Sequence, residues 1–191
     1  MSSAPQSLAG RPQLLDDTAI ARTVLRLAHE IAERHGDEQI VLAGIRTRGV
    51  PLAARIARAM TALGQRQPDM AILELDDYRD DRPRPARPRP GALSAAGGGA
   101  APGIDARAVV LVDDVLFTGR TLRAALDALL DGGRPATVEM LVLIDRGHRE
   151  LPMRATYVGK NVPTAPSERV AVRLREIDGI DGAWMIGEPE A

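Results

Sequence analysis

An apolar run closes on two adjacent carboxylates, Asp113 and Asp114, and four residues later Thr118, Gly119, Arg120 and Thr121 form a small, hydroxyl-rich turn. Small residues where a strand turns into a helix let backbone N–H groups converge, and the helix N-terminus adds positive potential. Such a turn is a nest for an anion, and a phosphate suits it. The hydroxyls of Thr118 and Thr121 can donate to its oxygens. The carboxylates would repel a phosphate, so they suit a neighbouring polyol or a cation. A group with a phosphate at one end and vicinal hydroxyls a few ångströms away is a ribose 5-phosphate. The plainer alternative is a helix cap beside a solvated turn. The joint occurrence of buried strand, acidic pair, TGRT and helix argues against it. The stretch is neither a GxxxxGK[ST] loop nor a GxGxxG turn.

A second loop has similar character. Arg46, Thr47, Arg48 and Gly49 follow the apolar run QIVLAGI and open a helical pattern. Backbone N–H groups there, with the Arg48 charge, suit a second anionic group. A solvated turn is the alternative for Arg46 and Arg48.

The elements that must position these loops alternate. Asp16 or Asp17 caps a helix running to about His35, with Ile20, Val24, Leu27, Ala28 and Ile31 on one face. Strands are expected over 39–45, 70–75, 108–114 and 136–145, with shorter ones over 155–160, 169–176 and 183–187. Helices are expected over 51–64, with Pro51 at the first position, and over 119–133. The longer strands read as continuous apolar runs, as strands covered on both faces do. That pattern predicts a mostly parallel sheet with helices on both faces. Ligands of such sheets sit beyond the C-terminal strand ends, where the strand order reverses. Residues 79–105, rich in Pro, Arg, Gly and Ala, read as a mobile loop and a candidate lid, with Tyr78, Arg79 and Asp80 at its hinge.

Composition narrows the function class. The chain has 191 residues with 45% hydrophobic and only 2% aromatic content, so its core is aliphatic and stacking platforms for single strands are not expected. A formal net charge of −1 means that any nucleic-acid contact needs a local basic patch. There is no cysteine, which excludes disulfides, thiolate metal sites and Cys nucleophiles. With no apolar signal core and no run of about 18 apolar residues, a cytoplasmic protein without a membrane partner is expected. One domain is expected over 15–187, between a disordered tail over 1–14 and a short tail over 188–191.

VLVDDVLFTGRT resembles the phosphoribosyl-pyrophosphate (PRPP) motif of type I phosphoribosyltransferases. GIRTRGVPLA, YRDD, DRGHRELP, GKNVPT and SERV narrow the resemblance to the PyrR family, bifunctional pyrimidine operon attenuation regulators and uracil phosphoribosyltransferases. The match runs from about residue 15 to 187. The chain departs from the family pattern at Leu25, Asp77, Phe117 and Pro166.

The resemblance implies the type I phosphoribosyltransferase fold, a central sheet with a lid loop and a small hood. It implies transfer of ribose 5-phosphate from PRPP to uracil, releasing diphosphate as UMP forms. PRPP would be bound by Thr47, Arg48 and Gly49 at the diphosphate and by Leu116, Phe117, Thr118, Gly119, Arg120 and Thr121 at the 5′-phosphate. Asp113 and Asp114 would hold the ribose hydroxyls, directly or through Mg²⁺. Asp113, Asp114, Arg48 and Arg79 are the implied catalytic set. Arg146 is expected at a uracil carbonyl and the backbone from Val158 to Lys160 at the edge of the base, with a structural ion pair the alternative for Arg146.

A second implied function is binding of an mRNA hairpin from the pyrimidine operon, promoted by UMP or UTP. Its expected residues are Arg22, Arg26, His29, His148, Arg149, Arg154 and Lys160, of which the first three share one helical face. A homodimer or homotetramer is implied. The competing reading is a regulator that keeps the PRPP site only as a nucleotide sensor.

Overall fold

The computed structural model describes residue 8, residues 10–78 and residues 92–187. Its main sheet has six strands. They are β2 (Val41–Ile45), β3 (Asp69–Leu73), β4 (Leu93–Ala95), β5 (Ala108–Leu116), β6 (Thr137–Asp145) and β7 (Tyr157–Asn161), in the order β4-β3-β2-β5-β6-β7. All neighbours pair in parallel except β4, which runs antiparallel to β3. A smaller sheet of three strands, β1 (Gln13–Leu15), β9 (Gly182–Ile186) and β8 (Arg169–Arg173), forms the hood.

Chain order reverses between β2 and β5. From β2 the chain moves outward to β3, and from β5 it moves the other way through β6 to β7. The crevice at this switch point is where such sheets bind ligands. Every residue of β2 is buried, as are Ala108 to Asp113 of β5, which explains the unbroken apolar runs. Helices α1 (Asp17–His35) and α2 (Gly49–Ala62) pack with each other and cover one face, and α3 (Arg120–Asp131) covers the other. Asp16 caps α1 by accepting from the Ala19 amide at 2.7 Å. The buried residues of α1 are the five expected from the sequence. No helix among the described residues is long and apolar enough to cross a membrane.

Four expectations need correction. The disordered tail over 1–14 is too long, because Gln13 and Leu14 belong to β1, which pairs with β9 while Leu15 is buried. The loop over 79–105 is too long as well. Leu93 to Ala95 pair with Ala71 to Leu73, so that part is an edge strand. The strand expected over 169–176 stops at Arg173, and Arg175–Asp178 turn into a short helix, α4. Helix α2 begins at Gly49, so Pro51 is its third residue, still in the first turn where a missing N–H costs nothing.

The one tryptophan, Trp184, lies in β9 of the hood, opposite Ala171 on one side and Gln13 on the other. Its ring lies against Gly182, where an added Cβ would come within 2.2 Å of it.

At the N-terminal end of β6, Glu139 is 7% exposed and collects three partners. The Tyr157 hydroxyl donates to it at 2.7 Å, His35 Nε2 lies at 2.9 Å and Arg34 Nε at 2.5 Å. Burial pushes the Glu139 acid up, but Tyr157, His35 and Arg34 together outweigh it and hold it below its ordinary value. The stabilisation is therefore present above the unfolded acid's pKa and is lost as pH falls through the lower folded value. We expect Glu139→Gln to cost roughly 1–3 kcal/mol near neutral pH. Thermal melts should show the gap from the parent chain closing below about pH 4. A gap unchanged by pH would remove ionisation from the account.

Candidate functional site

Asp113 and Asp114 sit on β5 just past its pairing with β2, which ends at Gly44 and Val112. Asp113 is 8% exposed and Asp114 is half-buried. Asp113 Oδ1 accepts the Asp114 amide at 2.9 Å. Burial, and after it the neighbouring Asp114 charge, pushes Asp113 well above the usual carboxylate range. Burial raises Asp114 too, opposed in part by Asp113 and by the Arg48 charge. A buried acidic pair of this kind is costly alone and is relieved by hydroxyl donors or a cation.

Two helix starts flank the pair. Neither α2, which begins after Arg48, nor α3, which begins after Gly119, is capped by the side chain of its N-cap residue. Arg48 and Gly119 thus offer no side-chain acceptor to the leading N–H groups, which lie at the crevice end of the sheet. Gly119 takes φ 92°, a left-handed conformation suited to glycine, and Arg120 donates from its amide to Thr118 Oγ1 at 3.4 Å. The Thr118 carbonyl accepts the amides of Glu150 and Leu151 at 3.0 and 3.1 Å, which ties the turn to the segment after β6. The Arg120 side chain is exposed and pairs with Glu150, and Thr121 is exposed. Leu116 lies in the core on the α3 side, so any part it has in the site comes through its backbone.

The loop after β2 approaches the carboxylates closely. An added Cβ at Gly49 would stand 2.1 Å from the Val112 carbonyl oxygen, so only glycine lets α2 start against β5. The Arg46–Thr47 peptide is cis. Arg46 points to solvent and pairs with Glu74, whereas Thr47 is exposed at the loop tip. Arg48 turns to the hood. Its Nε and Nη2 donate to the two oxygens of Asp178 at 3.1 and 2.8 Å. Burial would raise the Asp178 acid, but Arg48, the Leu174 amide and Arg173 hold it down at about 2.

A cavity of about 420 Å³ opens at the ends of β6 and β7, lined by Asp145, Arg146, Arg149, Arg154, Asn161 and Val162 among others. Arg146 is 5% exposed and stacks over the Phe117 ring, 3.8 Å from its centre. Its Nε donates to Thr164 Oγ1 at 3.2 Å and its Nη2 to the carbonyls of Ala165 and Pro166 at 3.3 Å. Among the described residues no carboxylate forms a salt bridge with it, and there Arg146 is a stacked guanidinium held by a hydroxyl and carbonyls rather than an ion-pair partner. Val158 and Lys160 lie apart from it. Val158 packs in the core on the α3 side, and Lys160 Nζ reaches the Leu14 carbonyl at 2.8 Å.

The residues expected at RNA divide into two groups. Arg22, Arg26 and His29 are exposed along α1, and Arg26 donates to the Val158 and Gly159 carbonyls at 3.1 and 2.7 Å while pairing with Glu30. That contact brings the α1 face against β7, which carries Lys160. On the segment after β6, Arg154 is exposed, whereas His148 donates to the Thr164 carbonyl at 2.6 Å and stands edge-on to Phe117. Arg149 is committed internally. It donates to the Phe117, Gly147 and Met153 carbonyls at 2.6, 2.9 and 3.1 Å and pairs with Asp145. It braces the turn that begins at Phe117 and offers little to an outside partner.

Arg79 and Asp80 lie outside the described residues. Tyr78 is anchored, its hydroxyl donating to Asp131 at 2.9 Å. Sequence reasoning missed Asp178 and the bracing role of Asp145, since neither stands in a motif.

The phosphoribosyl transferase domain model matches residues 10–175. The bifunctional protein PyrR of Roseiflexus sp. is 51% identical over 93% of this chain and 96% of its own. The PyrR of Streptomyces coelicolor is 51% identical over 97% of this chain and 94% of its own. Among solved structures, the hypoxanthine phosphoribosyltransferase of Trypanosoma cruzi in complex with IMP aligns with a TM-score of 0.69. At 18% identity, covering 97% of this chain and 94% of that one, it shares the fold. With the acidic pair at the switch point, two helix starts around it and about half of the aligned positions shared with the PyrR relatives, the chain belongs to the PyrR family of phosphoribosyltransferases.

Proposed function

We propose that this chain makes UMP from uracil and PRPP, and that it also regulates pyrimidine operon transcription by binding an RNA hairpin under control of uridine nucleotides. The observation that carries the enzymatic half is the Asp113–Asp114 pair, one buried and one half-buried, between two helix N-termini whose N-cap residues supply no side-chain acceptor. One anion at each helix start and a diol between them match the three parts of PRPP.

In this reading Phe117 to Thr121 hold the 5′-phosphate, and Thr47 to Gly49 hold the diphosphate. Asp113 and Asp114 accept hydrogen bonds from the ribose 2′- and 3′-hydroxyls, which also relieves their own burial. The two carboxylates are hard oxygen ligands that fit Mg²⁺. Among the described residues there is no cluster of three or more His, Cys, Asp or Glu that could hold a metal, so the remaining ligands would come from PRPP. When bound, Mg²⁺ would neutralise charge on the leaving diphosphate. Uracil N1 attacks C1 of the ribose as the bond to diphosphate breaks, with inversion at C1 and loss of the N1 proton. Positive charge on the ring peaks midway, so this chain contributes mainly orientation, charge complementarity and exclusion of water. Arg146 and the cavity beside it receive the base. The partly buried Val158 side chain packs toward the α3-side core and is not assigned to the base, and Lys160 serves the RNA face. Arg79 is assigned to the diphosphate from the lid.

Purified protein, Mg²⁺, PRPP and labelled uracil test this reading, with cytosine and hypoxanthine as controls. UMP formed from uracil alone is expected. Nucleotide binding without turnover would make the site a sensor, and RNA regulation the remaining function.

The exposed basic residues Arg22, Arg26 and His29 of α1, with Lys160 and Arg154, support the RNA half. The protein would act as a cytoplasmic homodimer or homotetramer of single domains spanning about 15–187. Lys160→Ala should weaken hairpin binding and reduce its salt slope by about 1. Titrations at several salt concentrations check this, and an unchanged slope would take Lys160 off that face.

A further inference from the structure

Arg48 has a partner that the phosphoribosyltransferase motifs do not contain. Asp178 stands 130 residues away, at the end of α4 in the hood, and its side chain is only 9% exposed. All four of its acceptor positions are filled. Oδ1 accepts from Arg48 Nη2 at 2.8 Å and Arg173 Nη1 at 2.9 Å. Oδ2 accepts from Arg48 Nε at 3.1 Å and the Leu174 amide at 2.9 Å. A carboxylate so saturated is fixed in place, and what it holds is fixed with it.

The contact is one-sided for Arg48. Asp178 takes the Nε–Nη2 edge, and Nη1 has no partner among the described residues. The side chain is 27% exposed, and the Asp114 charge favours its protonated form. Two guanidiniums, Arg48 and Arg173, share the single Asp178 charge, so Asp178 alone does not neutralise both. Arg55, two turns along α2, adds a second grip on the same hood segment. It donates to both oxygens of Glu176 at 2.9 and 2.6 Å and to Asp181 at 2.6 Å. The hood segment is thus clamped to α2 independently of Arg48, so Asp178 is not needed to dock it.

We propose that Asp178 is the positioning residue of the diphosphate loop, gripping Arg48 by one edge and aiming its free N–H groups at the diphosphate of PRPP. The inference rests on reading residues 46–49 as the diphosphate loop. A long, flexible side chain otherwise loses its rotamer freedom on binding; Asp178 removes that loss beforehand.

A kinetic double-mutant cycle tests it. Arg48→Ala is expected to raise the KM for PRPP on the order of tenfold. Asp178→Asn keeps the shape of the side chain and weakens the grip. It should raise the KM for PRPP about fivefold, leave the KM for uracil unchanged and add nothing in the Arg48→Ala background. Asp178→Glu, which keeps the charge, should recover part of the loss, and it carries the cycle if the asparagine variant does not fold. Effects that multiply in the double variant would overturn the proposal, since Asp178 would then act without Arg48. A lowered KM for PRPP in Asp178→Asn would also overturn it, making Asp178 a competitor of the diphosphate. If Arg48→Ala alone leaves the PRPP KM at the parent value, the diphosphate-loop reading fails, and the proposal falls with it.

Discussion

Asp114→Asn is expected to lower the rate of UMP formation by about 10²-fold or more while the fold stays intact. The asparagine keeps the size of the side chain but loses the negative charge that grips the ribose hydroxyls and faces the developing charge on the ring. Stability should move the other way. Both carboxylates are raised by burial in the folded chain. A raised acid stabilises the fold only while protonated, and that contribution is lost as pH rises through the folded value. At neutral pH the pair therefore works against folding, and removing one charge relieves it. Steady-state rates and thermal melts at pH 7 check both halves: slower turnover with an equal or higher melting temperature. Turnover at the parent rate would sink the ribose-clamp assignment. A function-linked strain of this kind is common where activity requires a destabilised site.

Gly49→Ala should have the second largest effect. The added methyl would stand 2.1 Å from the Val112 oxygen, 3.1 Å from its carbon and 3.4 Å from Asp113 Cα. All three belong to the backbone of a buried central strand, so the strand cannot yield and α2 with its leading loop must withdraw. Overpacking of that kind costs about 3 kcal/mol. In a chain of this length that lowers the melting temperature by roughly 6–12 °C. The KM for PRPP should rise with it, since the loop carrying Thr47 and Arg48 moves off its seat. Gly97→Ala is the control. Nothing lies within 4 Å of its added methyl, and its φ is unexceptional. Equal melting temperatures for the two variants would show that the loop does not need its close approach to β5.

The sheet, its helices and the acidic turn were legible because each is written locally. Five buried residues on α1 follow the helical period, and β5 and β6 are apolar because both their faces are covered. The elements that escaped are those whose stability is borrowed from distant partners. Gln13–Leu15 and Leu93–Ala95 are three residues each, too short for a pattern, and exist because β9 and β3 offer them free edges. The site shows the same division. Asp113, Asp114 and the TGRT turn are contiguous, but the Asp178 grip on Arg48 joins residues 130 apart. Arg149 read as a basic surface residue because sequence shows its charge and not the three carbonyls it satisfies.

With a single tryptophan in β9, the chain carries a built-in optical reporter, and its placement decides what it reports. Indole emission will follow the packing of the hood, while far-ultraviolet dichroism will be dominated by α1, α2, α3 and the six-stranded sheet. In one denaturant series the two signals therefore watch different sheets. Coincident transitions would mean that hood and main sheet unfold as one cooperative unit. An earlier loss of emission would mark the hood as a separable part, opening while the rest of the fold stands.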